Sequence, residues 1–201
     1  VNDGVSTPST RGPAALALRG TGTLGKRLVA VGTGGTLLSI DDGQTWTPRA
    51  TGVATDLRGV AASGDLAVAV GAGGAILTSS DGATWAAQPT SSAISLNAVI
   101  AGPDRFVVVG DGGRVMVSPN GVGWYLADSR TNANLNSITY GGGQYVMVGN
   151  SGTIFTSPDG FNWTNRNSET FNSINYVTFA GTQFWARSVG SELLTSPDAV
   201  K

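Results

Sequence analysis

Short apolar runs separated by glycine-rich polar turns recur along the whole chain. Runs such as Phe106–Gly110 (FVVVG) are β-branched, have the length of one strand and end in glycine. They are continuous rather than alternating, which predicts sheets that are covered on both faces. No stretch shows the 3.6-residue apolar spacing of an amphipathic helix. The pattern therefore predicts an all-β protein with almost no helix.

The pattern repeats with a strict period of 39 residues. The segments 28–46, 67–85, 106–124 and 145–163 align without a gap, and a fifth, 184–201, starts in the same register. Each of the first four ends in a tryptophan: Trp46, Trp85, Trp124 and Trp163. Each unit contains four short apolar segments joined by turn residues. Because repeats of about 40 residues with four strands each are typical of propeller blades, the fold predicted here is a β-propeller.

The two ends of the chain also align with each other. A shift by one repeat places Asp3-Gly4 on Asp42-Gly43, so the chain begins within the corner at which it ends. We therefore expect one five-bladed β-propeller domain over residues 1–201. Its repeats lie at about 13–51, 52–90, 91–129, 130–168 and 169–201, the last completed by residues 1–12. In this interpretation, residues near Thr7–Arg11 supply the outer strand of the last blade and close the ring.

Composition narrows the range of functions. A net charge of −1 argues against nucleic acid as a partner, since binding phosphate needs a concentrated positive field. The strand-sized apolar runs argue against membrane insertion. The absence of cysteine and histidine excludes disulfides, zinc bound by these residues, and catalytic triads that use them. Abundant Gly, Ser, Thr and Asn with only two lysines favour an exported bacterial protein, at the cell surface, in the periplasm or outside the cell.

The corner before each tryptophan carries a recognisable motif. Residues 39–46 (SIDDGQTW) match Ser-x-Asp-x-Gly-x-Thr-Trp in full, and later copies drift to SPNGVGW and SPDGFNW. This corner resembles the Asp-box, or bacterial neuraminidase repeat, and the whole chain resembles repeat-rich exported bacterial proteins built from such units. It is more distantly similar to photosystem II assembly-factor propellers. In these families the box implies a fold rather than an activity.

The resemblance implies a structural role for the corner residues, in which the acid or amide caps the turn and the tryptophan packs between blades. These residues are Asp42, Trp46, Asp81, Trp85, Asn120, Trp124, Asp159, Trp163 and Asp198. Each corner holds one or two acids, too few for a dedicated calcium cage. We therefore expect neither a metal site nor a cofactor.

Residues that depart from the repeat are the candidates for catalysis. Asp56 stands at the entrance of an innermost strand where the other copies carry Ala17, Ser95, Asn134 and Ser173. A glycosidase needs a second positioned carboxylate, and the only glutamates, Glu169 and Glu192, fall in apparent loops. Residues 20–25 form a literal G-x-G-x-x-G, but no helix follows to bind a phosphate. We assign no catalytic residue and expect no enzyme, and a glycan-active enzyme stays as the alternative.

Two groups of residues are candidates for binding. The second residue of each innermost strand is polar, which predicts a ring of donors near the axis: Arg19, Arg58, Asn97, Asn136 and Asn175. Such a ring suits an anion or a glycan; in the alternative interpretation, it satisfies backbone groups of neighbouring blades. A predicted aromatic patch comprises Trp185, Tyr176 and Phe161. Trp185 stands where the other copies carry valine, so the packing of the repeat does not explain it.

These observations favour a non-catalytic binding or scaffold module that contacts a partner protein or a surface glycan. A third hypothesis is a structural subunit of a surface appendage, in which the strands at the chain ends pair between molecules. A closed ring predicts a monomer, whereas strand exchange predicts an oligomer.

Overall fold

The computed structural model describes residues 17–41, 43–90, 92–190 and 192–200. Within these ranges the chain forms strands and three single-turn 3₁₀ helices, at Thr33–Gly35, Ala72–Gly74 and Asp111–Gly113. The strands are β1 (Leu18–Leu24), β2 (Arg27–Gly32), β3 (Leu37–Ile40), β4 (Trp46–Pro48), β5 (Leu57–Ser63), β6 (Leu66–Gly71), β7 (Ile76–Ser79), β8 (Ala86–Ala87), β9 (Leu96–Ala101), β10 (Phe106–Gly110), β11 (Val115–Ser118), β12 (Tyr125–Ala127), β13 (Leu135–Gly141), β14 (Gln144–Gly149), β15 (Ile154–Ser157), β16 (Thr164–Arg166), β17 (Ile174–Ala180), β18 (Gln183–Ser188) and β19 (Leu193–Ser196).

The strands form five antiparallel sheets, one for each 39-residue unit, which confirms the all-β prediction. Sheet 1 comprises β1–β4, sheet 2 β5–β8, sheet 3 β9–β12, sheet 4 β13–β16 and sheet 5 β17–β19. Each sheet is a simple meander in which every strand pairs with the one before it. Sheet 5 has three strands among the described residues, whereas each of the other sheets has four.

The sheets pack face to face in chain order. The first strands are successive neighbours, β1 beside β5, then β9, β13 and β17. Four apolar clusters fill the spaces between consecutive sheets. Val107 and Val109 face sheet 4, whereas Phe106 and Val108, which alternate with them on β10, face sheet 2. Burial on both faces explains why the second strand of each unit is a continuous apolar run.

A glycine with positive φ makes the turn after the second strand compact in sheets 1 to 4. Gly74 has φ +75°, and a Cβ there would lie 2.0 Å from the Ser92 carbonyl oxygen of the following loop. Gly113 repeats this geometry with φ +72° against the Thr131 carbonyl oxygen. Because only glycine fits both the left-handed conformation and the close approach, the motif recurs in every unit with such a loop.

The two outward faces of the array are less buried than the faces between sheets. Trp46 of sheet 1 is 40% exposed, whereas Trp85 is 8% and Trp163 3% exposed. At the other end, the outward face of sheet 5 carries Tyr176 and Leu193, which are also exposed. Burial of the box tryptophan between sheets is therefore observed for Trp85 and Trp163, but not for Trp46.

Two expectations fall on residues outside the described ranges. Residues 1–12, expected to supply the missing strand of sheet 5, are among them, as is Asp42 of the first box. Closure of the ring consequently stays a prediction, while the five sheets and their order are observed.

Candidate binding site at the polar cavity

The second residues of the five first strands meet at one cavity of about 420 Å³. Its lining, here called the polar cavity, consists of Arg19, Arg58, Asn97, Asp111, Asn136 and Asn175. The repeat places one of the five predicted ring residues on each sheet, and the packing of consecutive first strands brings them together. The sixth, Asp111, follows β10 in the turn that opens the adjacent 3₁₀ helix.

Two asparagines tie neighbouring sheets together through backbone hydrogen bonds. The Asn97 side-chain amide donates to the Leu135 carbonyl oxygen of sheet 4 at 2.8 Å. Asn136 repeats this contact with the Ile174 carbonyl oxygen of sheet 5 at 3.0 Å. Part of the ring therefore satisfies backbone groups of the next sheet, as the structural interpretation of these residues requires.

The same amides also contact acceptors within their own sheets. The Asn97 amide donates to the Asp111 carboxylate at 2.8 Å, and the Asn136 amide donates to the Asn150 side-chain oxygen at 3.0 Å. Asp111 and Asn150 occupy the same position of the repeat, fourteen residues after the asparagine. The pairing fixes the side-chain orientation of both asparagines.

Asn175 has no such partner among the described residues. Val189 stands fourteen residues after it, and a valine side chain accepts no hydrogen bond. Asn175 is exposed on the cavity side of β17. Its amide therefore retains hydrogen-bonding capacity that Asn97 and Asn136 have already used.

The two arginines keep free donors as well. Arg19 pairs with the Asp56 carboxylate at 3.2 Å, and the side chains of both are substantially exposed. Arg58 donates one guanidinium N–H to the Asn97 side-chain oxygen. Because a guanidinium carries five N–H groups, these contacts leave donors directed to the cavity or to solvent.

Asp56, the leading candidate for a catalytic acid, has a structural role. Besides pairing with Arg19, its carboxylate accepts the backbone N–H of Gly34 at 2.9 Å. Asn134, the equivalent residue of sheet 4, accepts the Gly112 N–H at the same distance of 2.9 Å. An asparagine side chain thus accepts the equivalent hydrogen bond in sheet 4. This position therefore requires a hydrogen-bond acceptor that caps the turn, and not an acid.

The glutamates do not provide a second carboxylate for Asp56. Glu169 lies at a turn with φ +57°, where the equivalent Gly52 and Arg130 also have positive φ. Glu192 accepts hydrogen bonds from the hydroxyls of Thr170 and Ser188 at 3.4 and 3.2 Å.

Among the described residues, no group of three or more acidic side chains is placed to hold a metal ion. Of the described helices, none has the length and apolarity needed to cross a membrane.

The box corners form closed hydrogen-bond networks. The Asp159 carboxylate accepts the N–H groups of Phe161 and Asn162 at 2.9 and 2.8 Å, and the Trp163 indole N–H donates to the Gly160 carbonyl oxygen. Burial alone raises the pKa of Asp159, but the N–H groups of Asn162 and Phe161 outweigh it and hold the pKa below its usual value. The box of sheet 3 forms the same network with Asn120 in place of the acid. These corners therefore stabilise the turns.

The residues of the predicted aromatic patch lie at separate places. Tyr176 and Trp185 share the outward face of sheet 5, where Tyr176 pairs with Arg187 and Trp185 with Thr178. Phe161 instead packs against the core between sheets 3 and 4, with the Arg105 guanidinium 5.5 Å from its ring centre. Only Tyr176 and Trp185 remain together as an aromatic surface.

Asp111 is the lining residue that sequence analysis missed. The repeat carries Thr33, Ala72, Asp111, Asn150 and Val189 at this position. Asparagine at the ring coincides with an acceptor fourteen residues later in sheets 3 and 4, and arginine coincides with threonine or alanine in sheets 1 and 2. This paired variation is the signal that identifies Asp111 from the sequence.

Solved structures provide the comparison with known proteins. The chain matches the structure of YCF48 from Cyanidioschyzon merolae with a TM-score of 0.74 and 23% identity, over 94% of this chain and 70% of that one. It matches YCF48 bound to D1 peptide with a TM-score of 0.73 and 21% identity, over 92% of this chain. The chain spans 64% of the length of that second structure, so it corresponds to part of the chain it resembles.

A nidogen/laminin complex provides a third match, with a TM-score of 0.73 at 12% identity over 92% of this chain and 78% of that one. No protein-family model and no curated sequence matches the chain. At these identities the likeness establishes a propeller-like fold and confirms the similarity to photosystem II assembly-factor propellers at the level of fold. It does not distinguish an Asp-box repeat from other propeller repeats.

Proposed function

We propose that this chain is a non-catalytic scaffold module that binds a partner protein at the polar cavity. The observation that carries the proposal is the convergence of one polar residue from each of the five sheets on a single cavity. Two of the structures with the same fold are complexes with a protein or peptide, YCF48 bound to D1 peptide and nidogen with laminin. A propeller-like array that presents a shared polar mouth suits such a role.

The chemistry of the cavity favours recognition over reaction. Its lining combines guanidinium and amide donors with the acceptors of the asparagines and Asp111. Such groups pair with peptide carbonyls, amides and carboxylates, which bind without activation of a nucleophile. Asp111 is the one carboxylate among the lining residues, and the Asn97 amide already donates to it.

A surface glycan is the second candidate ligand, because hydroxyls use the same donors and acceptors. Export from a bacterium belongs to the same proposal and is supported by composition alone. Tyr176 is exposed and Trp185 is half-buried on the same face of sheet 5, which favours a contact surface that extends to this sheet, since accessible aromatics are common at sites for sugar and protein.

We also propose that residues 1–12 complete sheet 5 and close a five-bladed ring. A cavity of about 510 Å³ between sheets 4 and 5 supports this, with Val146, Val148 and Ile154 in its lining. In the preceding pair of sheets, the equivalent Val107, Val109 and Val115 pack against Trp163 of the outer corner. The cavity therefore lies where the corner tryptophan that precedes the outer strand packs in the preceding pair of sheets.

The test is binding of the purified chain to a glycan array and, in parallel, to an immobilised peptide library. The variant Arg19→Gln with Asn175→Ala removes exposed cavity donors and leaves the links of Asn97 and Asn136 intact. Asn165→Ala, on the outer strand β16, is the matched control. Peptide ligands that bind the control and not the variant support the proposal. Glycan ligands with that behaviour replace the protein partner by a sugar, and ligands unaffected by the variant refute the site.

A further inference from the structure

The outer strand of sheet 3 differs from the outer strands of the other sheets. β12 pairs with β11 on one side, with Tyr125 opposite Val117 and Leu126 opposite Met116. On its other side no strand is paired among the described residues. Tyr125 is 62% exposed and Leu126 66% exposed, and Val122 of the same corner is also exposed. These three residues are here called the sheet-3 edge.

The other outer strands carry residues that discourage pairing. β4 ends in Pro48 and β8 consists of two alanines followed closely by Pro89, while β16 reads Thr-Asn-Arg. Proline, short length and charge are the usual means by which proteins protect an exposed edge. β12 is as short as β4 and β16, but it contains neither a proline nor a charged residue, although its sequence otherwise follows the repeat.

The free side of β12 presents backbone groups as well as apolar side chains. In sheets 1 and 2, the N–H groups of Arg49 and Gln88 donate inward to Leu37 and Ile76. Ala127 is the equivalent residue of sheet 3 and lies opposite Val115. Because inward and outward groups alternate along an antiparallel strand, the N–H and C=O of Leu126 face away from β11.

A cleft of about 410 Å³ adjoins this edge, between sheets 2 and 3. Apolar side chains dominate its lining, and they include Ile76, Ile94, Leu96, Met116, Trp124 and Leu126. Arg114 is the only charged residue among those that line it. Since opposite residues of two paired strands share a face, Leu126 points to the same side as Met116 and faces the cleft.

We propose that β12 takes up an extended segment of a partner protein as an additional strand. The backbone of Leu126 hydrogen-bonds the segment, an apolar side chain of the segment enters the cleft, and a neighbouring carboxylate pairs with Arg114. Strand addition of this kind draws affinity from the main chain and specificity from pockets for alternate side chains. β12 and β9 lie at opposite edges of sheet 3, so this site is separate from the polar cavity.

The repeat supplies the variant that tests the proposal. Pro48 occupies the position of Leu126 in sheet 1, so Leu126→Pro installs a residue that the fold already accepts there. It removes the outward N–H and the apolar side chain together. Ala87→Pro makes the same change at the equivalent position of sheet 2 and serves as the matched control. Thermal unfolding verifies that both variants fold.

The experiment selects linear peptides from a phage-displayed library on the wild-type chain and measures their affinity as synthetic peptides. We expect peptides that combine alternating apolar residues with an acid. Leu126→Pro should weaken them by about tenfold or more, through the lost backbone hydrogen bond and side-chain contact. Ala87→Pro should leave the affinity unchanged, and Arg114→Gln should weaken acidic peptides selectively.

Three outcomes overturn the proposal. The first is a selection that enriches no peptide over a selection on Leu126→Pro. The second is equal loss of affinity in Leu126→Pro and Ala87→Pro, which places binding elsewhere. The third is loss of affinity in the variant with Arg19→Gln and Asn175→Ala, which assigns the peptides to the polar cavity.

Discussion

Trp46 and Trp163 occupy the same position of the repeat, three units apart, yet their surroundings differ. The Trp163 ring is 3% exposed because it packs against the apolar face of sheet 3. Trp46 belongs to the first sheet and is 40% exposed. The difference in exposure shows how much of the tryptophan surface is buried by the neighbouring sheet.

Substitution of these two tryptophans therefore tests the proposed closure of the ring. Trp163→Ala removes a buried indole and should lower the free energy of unfolding by about 3–5 kcal/mol. At the exposure that the described residues show, Trp46→Ala should cost about 1–2 kcal/mol, whereas a closed ring covers Trp46 and should bring its cost close to that of Trp163→Ala. Chemical denaturation of both variants provides the comparison. Equal costs would mean that the outward face of sheet 1 is covered in solution, as closure of the ring requires.

Removal of residues 1–12 should destabilise the protein if these residues complete sheet 5. We expect the melting temperature to fall by about 5 °C or more, since a lost strand exposes the apolar lining between sheets 4 and 5. A Gly-Ser linker of equal length in place of these residues should give the same loss. An unchanged melting temperature in both variants would show that the segment does not contribute to the fold.

At the corner of sheet 4, replacement of Asp159 by asparagine should cost less stability than replacement by alanine. Asp159→Ala leaves the N–H groups of Phe161 and Asn162 without their acceptor and should cost about 1–3 kcal/mol. Asp159→Asn keeps an acceptor oxygen, as Asn120 does in sheet 3, and should cost less. Thermal and chemical unfolding distinguish the two. A cost for asparagine as large as that for alanine would show that the negative charge itself is required.

The buried hydroxyl of Tyr145 should make the protein less stable as the pH becomes alkaline. The Tyr145 side chain is buried, its hydroxyl has no hydrogen-bond partner among the described residues, and burial raises its pKa to about 12. The native state therefore keeps the proton at pH values where the unfolded chain, with a pKa near 10.0, has lost it. The contribution of Tyr145 to the free energy of unfolding is therefore complete below pH 10 and declines as the pH rises towards 12.

Tyr145→Phe tests this dependence. Phe106 and Phe184 occupy the equivalent positions in sheets 3 and 5, so the ring fits. Removal of a buried hydroxyl without a partner should stabilise the protein by about 1 kcal/mol at neutral pH and flatten the alkaline decline. Tyr125→Phe, at an exposed site, is the control and should change neither. A variant less stable than wild type would indicate that the hydroxyl has a partner.

The sequence predicted much of the fold because each unit repeats the same physical solution. The spacing of Trp85, Trp124 and Trp163 sets the length of a unit, and the β-branched runs set its strands. The repeat did not predict the exposure of side chains on the outward faces of sheets 1 and 5. Trp46 has the same sequence surroundings as Trp85, and its exposure depends on which surface lies beside it rather than on its own unit.

The polar ring was predictable for a similar reason, since alignment of the units places its residues at one position. What each residue does there depends on its partner in space. Asn136 and Asn175 occupy the same position of the repeat, but the Asn136 amide donates to Asn150, whereas Val189, which replaces Asn150 in sheet 5, has no side-chain acceptor. Paired variation along the repeat points to Asp111, but its hydrogen bond from Asn97 is seen only in the structure. The unprotected edge of β12 also required the structure. The pairing of β12 with β11 shows which backbone groups of Leu126 face outward, and the repeat shows that Pro48 occupies the same position in sheet 1.

The asparagine links have a consequence for how such a chain changes over evolutionary time. Asn97 and Asn136 each reach a backbone carbonyl of the next unit, a group present whatever side chain stands there. A unit that carries this link can be joined to any copy of itself without a matching substitution. Duplication of such a unit in the gene therefore needs no second substitution for the new copy to form this link with its neighbour.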